Sequence, residues 1–259
     1  MPVATPVVSS PSLHVVPLPD GGQREQWWVK GRHHRTDGPA WVEYNDAGAV
    51  TYEGWWVKGH RHRTDGPAAV WRNDAGVVVR EQWWVKGRHH RTDGPAWVEY
   101  NDAGAVTYEG WWVKGHRHRT DGPAVVQRND AGAVTYEEWI VEDRNHRVDG
   151  PAYVKRNDAG VVTLEQWLVE GRHHRTDGPA CVERNDAGVV VREAWWVEGE
   201  PSTPGEVLGL FLADKGMKGL SPEALTFLGR NRTYEQWPSI TDNEIALARL
   251  LHPVTEVRS

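Results

Sequence analysis

One 28-residue phrase is written six times along this chain, and that period limits what the chain can fold into. Asp-Gly-Pro begins at Asp37, Asp65, Asp93, Asp121, Asp149 and Asp177, while Asn-Asp-Ala-Gly begins at Asn45, Asn73, Asn101, Asn129, Asn157 and Asn185. A tryptophan stands at 27, 55, 83, 111, 139, 167 and 195, and each step is 28 residues without insertion. A period this strict implies stacked supersecondary units, each touching mainly its neighbours and unable to bury its apolar side alone. Residues 24–68 and 80–124 are moreover identical at an offset of 56, so a two-copy block has been duplicated. Arrays that lengthen in this way present surfaces rather than enclosed catalytic pockets.

Within one copy, residues 49–76, the run Ala49–Lys58 alternates and is rich in Val, Tyr and Trp, which reads as a strand broken at Gly59. A second short strand is expected over Pro67–Arg72, followed by an Asn73–Gly76 turn whose glycine supplies a positive φ. The composition agrees: 16 Trp but only 2 Phe and 2 Met, with 27 Gly and 16 Pro, suits pleated strands punctuated by turns. The expectation is a mainly β fold, an elongated antiparallel meander of six hairpin repeats. A parallel coil would stack like charges one strand spacing apart, about 4.8 Å, which disfavours it.

Comparison among copies separates two columns. Glu53, Trp55 and Val57, like Ala40 and Val42, are the same in every full copy, whereas their alternating neighbours vary. Variation with a period of two marks one packed and one freer face. The varied positions Trp41, Trp71, Trp97, Tyr153, Glu43, Gln127 and Lys155 are therefore the candidate partner-binding residues.

Tyr52-Glu-Gly-Trp-Trp-Val-Lys-Gly59 followed by His62-Arg-x-Asp-Gly-Pro-Ala68 resembles the MORN repeat, and more closely its bacterial variant. The resemblance covers roughly residues 24–200, with a spacing longer than the usual unit and Asp-Gly-Pro-Ala in place of the second glycine. It implies hairpins laid side by side and a role in scaffolding, dimerisation or target recognition.

Each copy also carries His-Arg-x-Asp. Its structural reading has the Asp capping the Gly-Pro turn and the Arg forking onto a carboxylate or stacking on a Trp. The alternative is a recognition module in which Arg35, Arg63, Arg91, Arg119, Arg147 and Arg175 bind an anionic ligand such as nucleic acid. The net charge of -6, with 24 Lys+Arg against 28 Asp+Glu across residues 24–200, argues against a general nucleic-acid binder. A metal ladder is a third reading: His60 and His62 share a strand face, but no third ligand recurs with them, whereas adjacent His33 and His34 point oppositely.

No serine occurs in residues 24–200, the position of the lone Cys181 varies between copies, and no carboxylate pair is unlike its siblings, so no catalysis, cofactor or metal is expected. The first residues have neither a basic start nor a long apolar run, so a soluble, reducing, cytoplasmic setting without a membrane span is expected. Residues 1–12 are expected to be disordered, 13–26 to form a capping half-repeat and 13–200 the array as a whole. Residues 201–259 read as helices over Glu206–Lys215, Pro222–Gly229 and Thr241–Leu251: a cap over the last sheet edge, or an effector or oligomerisation module. The partner is expected to be a protein, with self-association through the helices or the sheet edge as a further possibility.

Overall fold

The structure, a computed structural model, describes residues 11–230 and 232–254. The chain divides into two units, one ending at Asp143 and one beginning at Arg144, and each is described by itself. Most of the segment expected to be disordered, residues 1–10, lies outside the described residues; Ser12 already opens a strand.

In the first unit the strands Ser12–Pro17, Gln23–Val29, Trp41–Tyr44, Val50–Gly54, Ala69–Arg72, Val78–Gln82, Trp97–Tyr100, Val106–Gly110, Val125–Arg128 and Val134–Glu138 lie in sequence order, each antiparallel to the next. The second unit continues the pattern with Tyr153–Arg156, Val162–Gln166, Cys181–Arg184 and Val190–Ala194. The meander expected from the repeat is therefore the fold, and among the described residues no strand pairs in parallel.

The Asn-Asp-Ala-Gly turn closes each hairpin for a reason visible in its atoms. The Asn45 side-chain oxygen accepts the Ala49 N–H at 2.8 Å, and Gly48, at φ +81°, donates its N–H to the Asn45 carbonyl at 3.0 Å. The register slips by one residue at Glu43/Tyr44, a bulge that recurs in the equivalent hairpins of both units.

The long strand does not run to Lys58 as the alternation suggests. It ends at Gly54, and Trp56–Val57 pairs with His60–Arg61 in a separate two-residue hairpin. Lys58 (φ +53°) and Gly59 (φ +82°) are both left-handed, the signature of a type I′ turn. Successive small hairpins bond to one another: the Arg35 N–H donates to the Trp56 carbonyl at 3.0 Å and the Gly59 N–H to the His33 carbonyl at 2.9 Å. Each unit thus gains a second hydrogen-bonded ladder beside the main sheet.

Cross-strand pairing confirms the two columns. Glu53 lies between Val42 and Val70, constant beside constant, and Gly54 lies between Trp41 and Ala69, varied beside varied. On the constant face the glutamates tie the long strand to the short strand of the same copy: Glu53 takes Arg72 at 2.7 Å and Glu81 accepts the Tyr100 hydroxyl at 2.8 Å. Ala40, Ala68, Ala96 and Ala124 are wholly buried, so nothing larger than a methyl fits that column.

In the second unit the array gives way to α1 (Pro204–Asp214), α2 (Pro222–Gly229), a 3-10 turn over Tyr234–Ser239 and α3 (Asp242–Leu251). Thr203 with Glu206 and Thr241 with Glu244 form capping boxes. Val207, Leu208, Leu212, Leu228, Trp237 and Ile245 make the core, onto which Trp195 and Val197 pack. Trp237 stands 5.6 Å from Trp195 and Tyr234 meets it edge-on at 6.3 Å. The helical segment therefore covers Trp195 but not the edge strand beside it: Val189 and Val191 are 60% and 63% exposed.

Candidate functional site

The varied face is less open than the alternation implies, because the small hairpins fold over it. In the first unit His33 lies 3.8 Å from Trp28, 5.1 Å from Trp41 and 5.5 Å from Trp56, ring centre to ring centre. His89 repeats this with Trp84, Trp97 and Trp112 at 3.6, 5.7 and 5.2 Å. In the copy between them Arg61 fills the same slot, its guanidinium over Trp56, Trp71 and Trp84. The position alternates His, Arg, His, Arg along residues 33, 61, 89 and 117, which is how the 56-residue duplication shows in the packing.

Several expected partner-binding residues are consequently engaged within the fold. Trp41 and Trp97 donate their indole N–H groups to Glu43 and Glu99 at 3.1 and 3.2 Å. Glu43 is further paired with Arg24 at 2.8 Å, and Trp71 lies between Tyr52 and the guanidinium groups of Arg61 and Arg80. Tyr153 is half-buried, whereas Gln127 and Lys155 are exposed. Large aromatics at varied positions read as contact residues in sequence; here they fill the space beneath the small hairpins, which only the strand break at Trp55 creates.

The His-Arg-x-Asp segment builds the opposite kind of feature, a repeated ridge. The Arg35, Arg63, Arg91, Arg119 and Arg175 guanidinium groups stack on Trp27, Trp55, Trp83, Trp111 and Trp167 at 3.8–4.3 Å. Arg91 donates Nε–H to Asp93 at 3.0 Å and an Nη1 proton to the Pro95 carbonyl at 3.4 Å. Gly94 closes the sandwich, since a Cβ there would lie 2.8 Å from the Arg91 Cζ. Arg147 makes the same two bonds to Asp149 and Pro151. The arginines offered as an anion site thus spend Nε and Nη1 internally and keep only about a quarter of their side-chain surface or less.

The aspartates are the exposed partners: Asp37, Asp65, Asp93 and Asp121 keep 80–82% of their side-chain surface. The hydrogen bond from the neighbouring arginine, helped by its charge, holds these carboxyls below their ordinary range. Between successive ridges lies a cleft of about 580 Å³, walled by Arg63 and Asp65 on one side and Arg91 and Asp93 on the other, with Trp83 and Val85 between. The second unit has a matching cleft of about 590 Å³ with Arg147, Asp149, Trp167, Val169, Arg175 and Asp177 in the corresponding places. There Phe211 and Asp214 of α1 and Lys215 at its C-terminal cap join the lining.

The histidine that precedes the ridge arginine is a clamp at His34, His62, His90, His146 and His174. His34 Nδ1 accepts the N–H of Lys58, the first residue of the next copy's I′ turn, at 3.0 Å. The bond recurs from Lys86 to His62, Lys114 to His90, Glu170 to His146 and Glu198 to His174 at 3.1–3.2 Å. His62 is therefore committed to its neighbour, and among the described residues no group of three or more His, Cys, Asp or Glu is arranged to hold a metal ion. Burial raises the Cys181 thiol above its ordinary value, away from thiolate character. No helix among the described residues is long and apolar enough to cross a membrane.

The fold and its ridges define the class: an antiparallel β-repeat array, ending in the second unit with a helical segment. Comparison adds no name to that class, for no family model matches the chain and no curated protein matches it.

Proposed function

We propose that this chain is a non-enzymatic scaffold that binds a protein partner, a role in keeping with its resemblance to the MORN repeat. The observation that carries the reading is the recurrence of one cleft, with the same Arg, Asp, Trp and Val positions, in both units. An enzyme needs one place unlike the rest, where groups are tuned for a reaction. Here the Arg-x-Asp pair of each ridge repeats from copy to copy, and the lone thiol is buried against Gln166. The partner meets the ridges and clefts, with the exposed varied residues Gln127 and Lys155 adding contacts that differ between copies. A reducing cytoplasmic setting fits a chain whose single cysteine has no partner within it.

Photo-crosslinking in the native cell tests this reading. A benzophenone amino acid at Thr92, on a ridge, and another at Gln127 are expected to give protein adducts. Adducts to nucleic acid instead, or salt-sensitive binding of the purified chain to single strands, would favour the anionic-ligand reading and sink this one.

A further inference from the structure

The cleft repeats at a spacing that selects among polymer ligands. Equivalent positions recur on every second strand of a meander, so successive clefts stand about 9.5 Å apart, two strand spacings. A polyproline II chain completes one turn in three residues of about 3.1 Å each, about 9.3 Å, and returns the same side chain to the same side. An extended β strand returns a side chain to the same side after about 6.7 Å, and an α-helix advances about 5.4 Å per turn. Only the first of these periods matches the clefts.

The walls then select the ligand's chemistry. An incoming side chain meets the Asp65 and Asp93 carboxylates, about four-fifths exposed, before the arginines, which lie flat on Trp55 and Trp83. Trp83 and Val85 give an apolar surface between the walls, and the Thr64 and Thr92 hydroxyls line the same space as donors for backbone carbonyls. A polyproline II ligand has no internal hydrogen bonds, so its carbonyls are free to accept them. The walls recur at Arg35 with Asp37 and at Arg119 with Asp121, made by the same bonds.

On the scaffold reading above, we propose that the ridge face binds a proline-rich segment in the polyproline II conformation carrying a lysine or arginine at every third residue, one basic side chain per cleft. Each added triplet engages one more cleft without a new loss of translational freedom, so affinity climbs with length.

The test uses the full chain and synthetic peptides, with binding read by tryptophan fluorescence and calorimetry at fixed salt. Pro-Pro-Lys repeats are expected to bind more tightly with each triplet from one to three, the number of clefts between the four ridges of the first unit. A Pro-Pro-Pro-Lys series of equal charge is expected to be about tenfold weaker at three lysines, because its charges fall out of step with the clefts. Pro-Pro-Glu repeats should not bind. Asp65→Asn with Asp93→Asn is expected to weaken Pro-Pro-Lys binding about tenfold while the circular dichroism spectrum is unchanged. Equal affinity for three- and four-residue spacing would reduce the effect to general charge attraction and overturn the proposal. So would tighter binding of an oligosaccharide or a single-stranded nucleic acid. Absence of peptide binding together with protein adducts at Thr92 would overturn this proposal alone and leave the scaffold reading standing.

Discussion

A guanidinium held between an indole and a glycine is the residue-scale unit from which the ridges are built. Arg91 reaches this position because Gly94 has no side chain, so Gly94→Ala is expected to push the guanidinium off Trp83 and cost about 1–2 kcal/mol. Thermal denaturation of the variant measures the loss. The same change in an Arg91→Ala background is expected to cost little, because the clash has gone. A second residue-scale consequence concerns acid. His89, packed among three tryptophans and near Arg61, has its pKa lowered from 6.5 to about 4, chiefly by burial. Above pH 6.5 the histidine is neutral in folded and unfolded chains alike. As the pH falls below 6.5 the unfolded chain takes up the proton first, so stability declines until about pH 4 and then levels. Burial lowers His33 and His173 in the same sense. After discounting for partial exposure, His89 contributes on the order of 1–2 kcal/mol to this loss. Melting curves at pH 7.5 and pH 5 are expected to differ by less in His89→Phe, which keeps the ring and removes the titration.

At the scale of elements, the small hairpin is what sequence reading missed, and the reason is local. Ala49–Lys58 alternates without interruption, and Lys58-Gly59 lacks the Asn-Gly or Asp-Gly pair that signals a type I′ turn. A lysine sits left-handed there and donates its N–H to His34 of the preceding copy, a contact across copies that no local pattern reveals. Lys58→Asn, which makes the preferred Asn-Gly turn, is expected to raise stability by about 0.5–1 kcal/mol in chemical denaturation while leaving the clamp intact. The long and short strands, the Asn-Asp-Ala-Gly turns and the division into constant and varied columns were legible because they follow from period-two alternation and turn residues alone. The clefts were not: they arise from the distance between two ridges, and the sequence shows each ridge only singly. The three helices were legible from their caps, while the 3-10 turn that delivers Trp237 to Trp195 carries a proline, Pro238, within it and gave no helical signal. Trp237 stands where an array copy would have supplied its arginine, eight residues after the tryptophan, for position 203 is Thr203.

For the molecule as a whole, the pairing of each long strand with the short strands of its own and the preceding copy fixes which changes of length are permitted. Removal of residues 80–107 takes out 28 residues in phase and is expected to leave a folded array with a modestly lower melting temperature. Removal of residues 80–93, half that length, breaks the phase and is expected to abolish the cooperative transition; circular dichroism distinguishes the two. The His34 link described above also reaches only one copy ahead, to Lys58, and the Glu53 link stays within its copy, at Arg72. A change in one copy is therefore felt next door and scarcely further. Selection can alter a single cleft, as Phe211 and Lys215 already do at one of them, while the remaining clefts keep their chemistry. In this architecture valency and preference are inherited separately, the first by duplication and the second by point substitution.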